Sequence, residues 1–335
     1  MRRWGALLVT SAATLGMVAC GDGDPATVRL VTYDSFPTKD TPLNDALAEF
    51  TADTGIAVQI VVAGDAGTMV TKAALTAGNP EGDVMWGVDN TLLSAATGAE
   101  VFDGNPVEVD RGDVCVNYDK VWFAEQGLQP PVTLDDLIKP EYRDLLVVQD
   151  ATASSPGLAF LLATIARYGD DGWQQYWRDL VANGVEVVDS WSTAYYERFS
   201  GAAGSEGDRP LVVSYGTSPP AEVVFADPPI DPSTGDAPTG VADGTCFRQV
   251  EYAGVLRGTD HSDEAAKLLE FLIGERFQRE LPLTLFVYPA NPDAELPEVF
   301  TKFAVSPEDP FTLDPAAIEA NRTTWQEQWS AIAVG

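Results

Sequence analysis

The chain has 335 residues, with 20 basic against 51 acidic side chains and a formal net charge of −31. That balance excludes nucleic acid as a partner, because a phosphate backbone needs a basic surface. It suits a soluble protein that works in a salty or external medium or handles cations, and the length allows about two domains.

Arg2 and Arg3 form a charged start, Ala6 to Val18 is mostly apolar, and Met17-Val18-Ala19-Cys20 follows. The apolar run is too short to span a bilayer as a mature helix and reads as a secretory signal. Its spacing also resembles a bacterial lipobox, whose Cys becomes the lipidated first residue. Residues 1–20 are read as a lipoprotein signal peptide with Cys20 as the lipidated residue, and 21–27 as a tether. The protein is then exported and anchored by lipid to the outer face of the cell membrane. A plain cleaved signal is the alternative.

Val28 to Tyr33 reads as a strand ending in Asp34-Ser35-Phe36. Thr41-Pro42 opens a helix to about Thr54, stopped by Gly55. A second strand, Ala57 to Val62, ends in Gly64-Asp65-Ala66-Gly67 before a helix to about Ala77. A third, Asp83 to Val88, precedes another helical stretch. This alternation of strand and helix predicts a mostly parallel sheet. Val107 to Tyr118 is extended, and Leu145 to Gln149 is a strand leading into Ser154-Ser155-Pro156-Gly157. Helices are expected over Leu158 to Ile165 and Gly172 to Ala182. Val185 to Val188 is a strand ending at Asp189-Ser190-Trp191-Ser192, with Tyr195 and Tyr196 on the helix that follows.

Leu211-Val212-Val213 is a short buried strand ending in Ser214-Tyr215-Gly216-Thr217-Ser218, where Ser218 is a candidate N-cap for a helix at Pro219. Asp227 to Gly244, rich in Pro, Gly and Asp, reads as a surface loop. Phe247 to Leu256 is extended, His261 to Phe277 helical, Leu281 to Tyr288 extended, and Ala316 to Ile332 a terminal helix. The fold class is therefore α/β, in two units joined by extended segments. Lobe 1 is expected to hold 28–112 and 250–335 with the C-terminal helices, and lobe 2 to hold 113–249.

The chemistry points to binding more than catalysis. The one histidine, His261, sits in a polar helix start and is expected at the surface. No G-x-S-x-G elbow, P-loop or strand-linked G-x-G-x-x-G is present, and one histidine argues against a zinc site. Cys115 and Cys246 lie in β-like segments of an exported chain and are expected to pair, with two buried free thiols as the alternative. In open α/β sheets ligands bind at the carboxyl ends of strands. Tyr33, Asp34, Asp65, Ser154, Ser155, Trp191 and Tyr215 all fall at such ends. Hydroxyls and free N–H groups at a helix start suit an anionic or strongly polar group, and aromatic rings suit a ligand ring or cation. Together they describe a two-lobed clamp around a small cationic aromatic.

Several motifs carry a family resemblance over almost the whole mature chain. They are TYDSF at Thr32 to Phe36, GVDN at Gly87 to Asn90 and VNYDK at Val116 to Lys120, then SSPGL at Ser154 to Leu158 and WSTAY at Trp191 to Tyr195. SYGTSP at Ser214 to Pro219, QVEYAG at Gln249 to Gly254 and VYP at Val287 to Pro289 complete the set. In this order they resemble the thiamine-binding proteins of bacterial ABC importers, and WSTAY followed by SYGTSP is the most specific pair. The resemblance implies a two-lobe, type II-like periplasmic binding fold, each lobe a mixed sheet flanked by helices. Thiamine or a thiamine phosphate would lie in the cleft, delivered to the permease subunits of an importer by a monomer with no cofactor.

It also implies that Trp191, Tyr215, Tyr33 and Phe286 face the ligand rings. Asp65, Ala66, Ser154 and Ser155 would meet the hydroxyethyl or phosphate end, and Asp34 and Ser218 complete the expected binding set. Phe286 departs from members that carry Trp there, and Ala221 from members with Tyr one turn into the following helix. The second departure favours free thiamine or an analogue. Two other readings remain. One is a ferric-iron or other small-cation binding protein of the same fold, using Tyr195 and Tyr196. The other is an exported thiamine-degrading enzyme, which would need Cys115 as a free nucleophile.

Overall fold

The computed structural model describes residues 26–335. The signal segment and Cys20 lie outside the described residues. Short apolar runs form eleven strands among them: β1 (Thr27–Thr32), β2 (Ala57–Val62), β3 (Val84–Asp89), β4 (Val107–Arg111), β5 (Val114–Asp119), β6 (Leu146–Gln149), β7 (Glu186–Val188), β8 (Leu211–Tyr215), β9 (Thr239–Phe247), β10 (Val250–Val255) and β11 (Tyr288–Pro289). They make two sheets, ordered β11-β4-β10-β3-β1-β2 and β7-β6-β8-β5-β9.

Both sheets are mixed. In the first, β1 runs parallel to β2 and β3, while β10 is antiparallel to β3 and β4. In the second, β6 is parallel to β7 and β8, while β5 is antiparallel to β8 and β9. The chain crosses between sheets at Gly112-Asp113 and returns at Arg248-Gln249. These crossings are tied together by an Arg248 Nε–Asp113 Oδ1 ion pair at 2.8 Å and by Gly112 N–H donating to Gln249 O. Cys115 of β5 is bonded to Cys246 of the neighbouring β9, closing a loop of 131 residues.

The first helix, Pro42–Thr54, is capped by Thr41, whose hydroxyl accepts from Asn44 N–H, and it ends at left-handed Gly55. Its apolar positions Leu43, Ala46, Leu47 and Phe50 face one core. That core centres on Trp86, which packs edge-on against Phe36 and Phe277. The two helices expected here follow one another within Ser155–Ala182, separated by a kink at Gly169 (φ 67°), a conformation that glycine adopts without the Cβ penalty.

Three segments differ from the sequence reading. The apolar stretch Leu281 to Tyr288 begins as a helical turn, Leu281–Thr284, in which Leu285 and Phe286 N–H both donate to Leu281 O. A short apolar run does not distinguish a strand from a buried turn. Part of the expected loop, from Thr239, is strand β9, held by pairing with β5. The C-terminal helix Pro315–Ala333, expected with lobe 1, packs chiefly on helix Ser155–Ala182, with Trp329 edge-on to Trp177 at 5.4 Å. Helix Glu298–Phe303 likewise joins the second sheet's side, Val299 and Phe303 packing with Val223. Amphipathic spacing establishes that such helices bury a face without specifying which core receives it.

Candidate functional site

The carboxyl ends of β1, β2, β7 and β8 converge on a cavity of about 850 Å³ between the sheets. Tyr33, Asp34, Asp65, Ala66, Ser155, Trp191, Tyr215, Ser218 and Phe286 line it. Ser154 does not. It is buried one residue behind Ser155 and lines a separate, smaller cavity with Gly67 and Arg322. The helix begins at Ser155, and one residue of helical phase, 100°, decides which hydroxyl faces the cleft.

Aromatic rings form the walls. Trp191 stacks on Tyr195 with centroids 4.9 Å apart and planes at 16°, and its Nε1–H donates to Ser214 Oγ at 3.0 Å. Tyr215 stands 6.3 Å from Trp191. Tyr33 lies against the backbone of Gly87, where a Cβ would sit 2.3 Å from the ring and φ is +98°. Only glycine lets the ring approach so closely. Phe286 holds a left-handed backbone (φ 54°), uncommon for a bulky residue, and packs edge-on against Phe225. Ser218 does not cap the helix Pro219–Val224 with its side chain. Its hydroxyl bonds Ser214 Oγ and accepts from Tyr215 N–H, so it steadies the turn that carries Tyr215.

Acids from the first sheet reach across the cleft. Asp65 Oδ1 accepts from Ala66 N–H (2.7 Å) and Ser155 N–H (3.3 Å), and Oδ2 accepts from Trp191 N–H (3.1 Å). Burial nevertheless pushes this carboxyl up to about 6, against the lowering effect of those N–H groups. Asp89 takes the Ser155 hydroxyl on Oδ2, and Thr91 and Leu92 on Oδ1. Gly67 permits the approach, since a Cβ there would meet Ala153 O at 2.5 Å. Two aspartates of the first sheet thus clasp the first turn of a helix on the second. Asp34, at the rim, is raised by burial and by Asp189.

The sequence reading missed Glu222, Phe225 and Glu251 as lining residues. Glu222 Oε1 accepts from the Tyr195 hydroxyl at 2.7 Å. The signal for Glu251 was an acid flanked by apolar residues within a strand, Val250-Glu251-Tyr252-Ala253, where an exposed acid is not expected. Tyr195 and Tyr196 also line the cavity, but their rings lie at 85° and burial raises both phenols, Tyr195 with Glu222 adding to the effect. Among the described residues no three His, Cys, Asp or Glu side chains are grouped to hold a metal ion. Cys115 is committed to its disulfide and is not a free nucleophile.

Comparison with known proteins agrees with this geometry. The profile of the bacterial extracellular solute-binding protein family matches residues 34–279. A thiamine-binding periplasmic protein of Salmonella typhimurium is 28% identical over 315 residues, covering 90% of this chain and 92% of that protein. The solved structure of a periplasmic thiamin binding protein superposes with a TM-score of 0.79 at 26% identity, covering 92% of this chain and 96% of that one. A ferric binding protein from Campylobacter jejuni has a TM-score of 0.66 at 13% identity over 91% and 99% of the two chains, a likeness of fold alone.

Proposed function

The chain belongs to the bacterial extracellular solute-binding protein family, and we propose that it captures thiamine in its cleft and delivers it to the permease subunits of an ABC importer. The observation that carries this reading is the cavity itself, with Trp191, Tyr215, Tyr33 and Phe286 around it and the carboxyls of Asp65 and Glu251 among them. Thiamine combines a fixed positive charge with two aromatic rings. Each ring-on-ring contact contributes roughly 0.5–1.5 kcal/mol beyond area burial, and a carboxylate opposes the thiazolium. The family and the full-length likeness to thiamine-binding relatives support the same ligand.

Free thiamine suits the cleft better than its phosphates. The N–H groups of Ser155 and Trp191, which would hold a phosphate, are occupied by the Asp65 carboxylate. A phosphate ester would have to displace that carboxylate or sit beside it against like charge. We further propose a lobe around each sheet, hinged at 112–113 and 248–249, with the C-terminal helices riding on the second lobe. Closure across the Asp65 and Asp89 clasp would exclude water and report occupancy to the permease. Lipidation at Cys20 would keep the monomer at the membrane face, a reading that rests on the lipobox spacing. Titration of the four-ring cleft with thiamine and its mono- and diphosphate tests the proposal. Binding ranked with thiamine first is expected, and no binding by a folded protein would reject it.

A further inference from the structure

Glu251 of β10 is paired across the first sheet with Asp110 of β4 on one side and Asp89 of β3 on the other. Asp89 has a full set of donors, from Thr91, Leu92 and Ser155. The other two do not. Both carboxyl oxygens of Asp110, wholly buried, and Oε2 of Glu251, 6% exposed, have no donor from the rest of the protein, while Glu251 Oε1 takes a long bond of 3.4 Å from Gln249 Nε2. The groups that face the pair are Glu108 and Asp89 on the flanking strands, Gln249, Tyr33 at the end of β1 and Tyr215 from the second sheet. The cations beside it in sequence are engaged elsewhere: Arg111 lies over Tyr288 and Arg248 pairs with Asp113. Burial and mutual repulsion hold both carboxyls well above their usual range, so the pair titrates as a unit and keeps protons where a free carboxyl is charged.

A buried carboxyl pair with so few donors is costly, and Glu251 is the member that lines the cavity, where a ligand can donate to it. We propose that the Glu251 carboxyl accepts a hydrogen bond from the exocyclic amine of an aminopyrimidine carried by the cationic ligand, and that Asp110, its partner across the sheet, is the positioning residue. This rests on the thiamine reading and adds the residue that reads the pyrimidine. Thiamine has two groups with strong donors, the amine and the hydroxyethyl end. Tyr33 and Tyr215 stand beside Glu251 and suit the flat ring that carries the amine.

Calorimetric titration of the mature protein with thiamine and with oxythiamine, in which an oxygen replaces the amine, tests this. The wild type is expected to prefer thiamine by roughly 10- to 100-fold, as expected where a site built to accept an N–H loses its donor. Glu251→Met removes the acceptor and should abolish the preference by weakening thiamine alone. Unchanged oxythiamine binding shows that its cleft is folded. Glu251→Gln, which keeps a carbonyl acceptor, should restore part of the preference.

Thiamine affinity of the wild type should also rise as pH climbs above neutrality and the pair gives up a proton, and Asp110→Asn should flatten that slope. A preference retained by Glu251→Met, or absent from the wild type, overturns the inference and leaves thiamine capture standing. An unchanged slope in Asp110→Asn overturns the role of Asp110. A wild type that binds neither compound overturns both this inference and the function it rests on.

Discussion

Asp65 offers a test of the clasp that can be worked in numbers. It is a buried acid whose carboxyl is raised from 3.8 to about 6, with burial as the largest cause. The folded form therefore binds this proton more tightly than the unfolded chain, and stability must fall as pH rises from about 4 to about 6. At 1.36 kcal/mol per unit, a shift of about two units amounts to about 3 kcal/mol in full, of which about half falls between pH 5 and pH 7. Asp65→Asn removes that titration and leaves Asp34, Asp89, Asp110 and Glu251 in place, so their contributions cancel in the comparison.

The assay is urea unfolding of ligand-free wild type and variant at about pH 5 and pH 7. The wild type should lose about 1–1.5 kcal/mol more than Asp65→Asn between the two conditions. Equal losses would show that Asp65 is not held in the buried clasp with Ser155 and Trp191, and the closed cleft described here would be refuted with it.

Other consequences follow from single positions. Gly67→Ala places a methyl 2.5 Å from Ala153 O. It should prop the lobes apart, lowering ligand affinity roughly 10-fold or more, since a displacement of about 1 Å at a built site has effects of that order, and small-angle scattering should show a more open molecule. Replacing Cys115 and Cys246 together by Ala opens a loop of 131 residues and should cost about 2–5 kcal/mol in denaturant unfolding. Phe286→Gly relieves a left-handed backbone at φ 54° while removing a ring from the cavity. Thermal stability should stay close to wild type while thiamine affinity falls, and a large loss of stability would contradict the account of that residue.

The alternation of apolar strands with polar turns was legible because each strand of the binding edge ends in residues unable to continue it. Tyr33-Asp34, Asp65-Ala66, Trp191 and Tyr215 come together for that reason, although they are spread over more than half the chain. What failed was phase and partner. Ser154 and Ser155 are equivalent as sequence, and only the start of the helix decides which faces the cavity. Ser218 has the composition of a cap, yet its hydroxyl serves the turn before it. The terminal helix announces an apolar face through Ile318, Trp325 and Trp329, all buried, without naming the core that covers it. Glu251 was hidden within a motif otherwise explained by strand pairing, and its significance depends on Asp110, 141 positions away in sequence but directly across the sheet.

The central claim is that the ring-lined cleft holds thiamine, and calorimetric titration of the mature chain, stripped of bound ligand by unfolding and refolding, tests it most directly. Trp191→Ala is the control, because that ring stacks on Tyr195 and faces the cavity. The account predicts submicromolar thiamine binding, on the order of −8 kcal/mol or stronger, weaker binding of the phosphates, and loss of binding in the variant. A folded protein that ignores thiamine, or a Trp191→Ala variant that binds it as tightly as wild type, would contradict it.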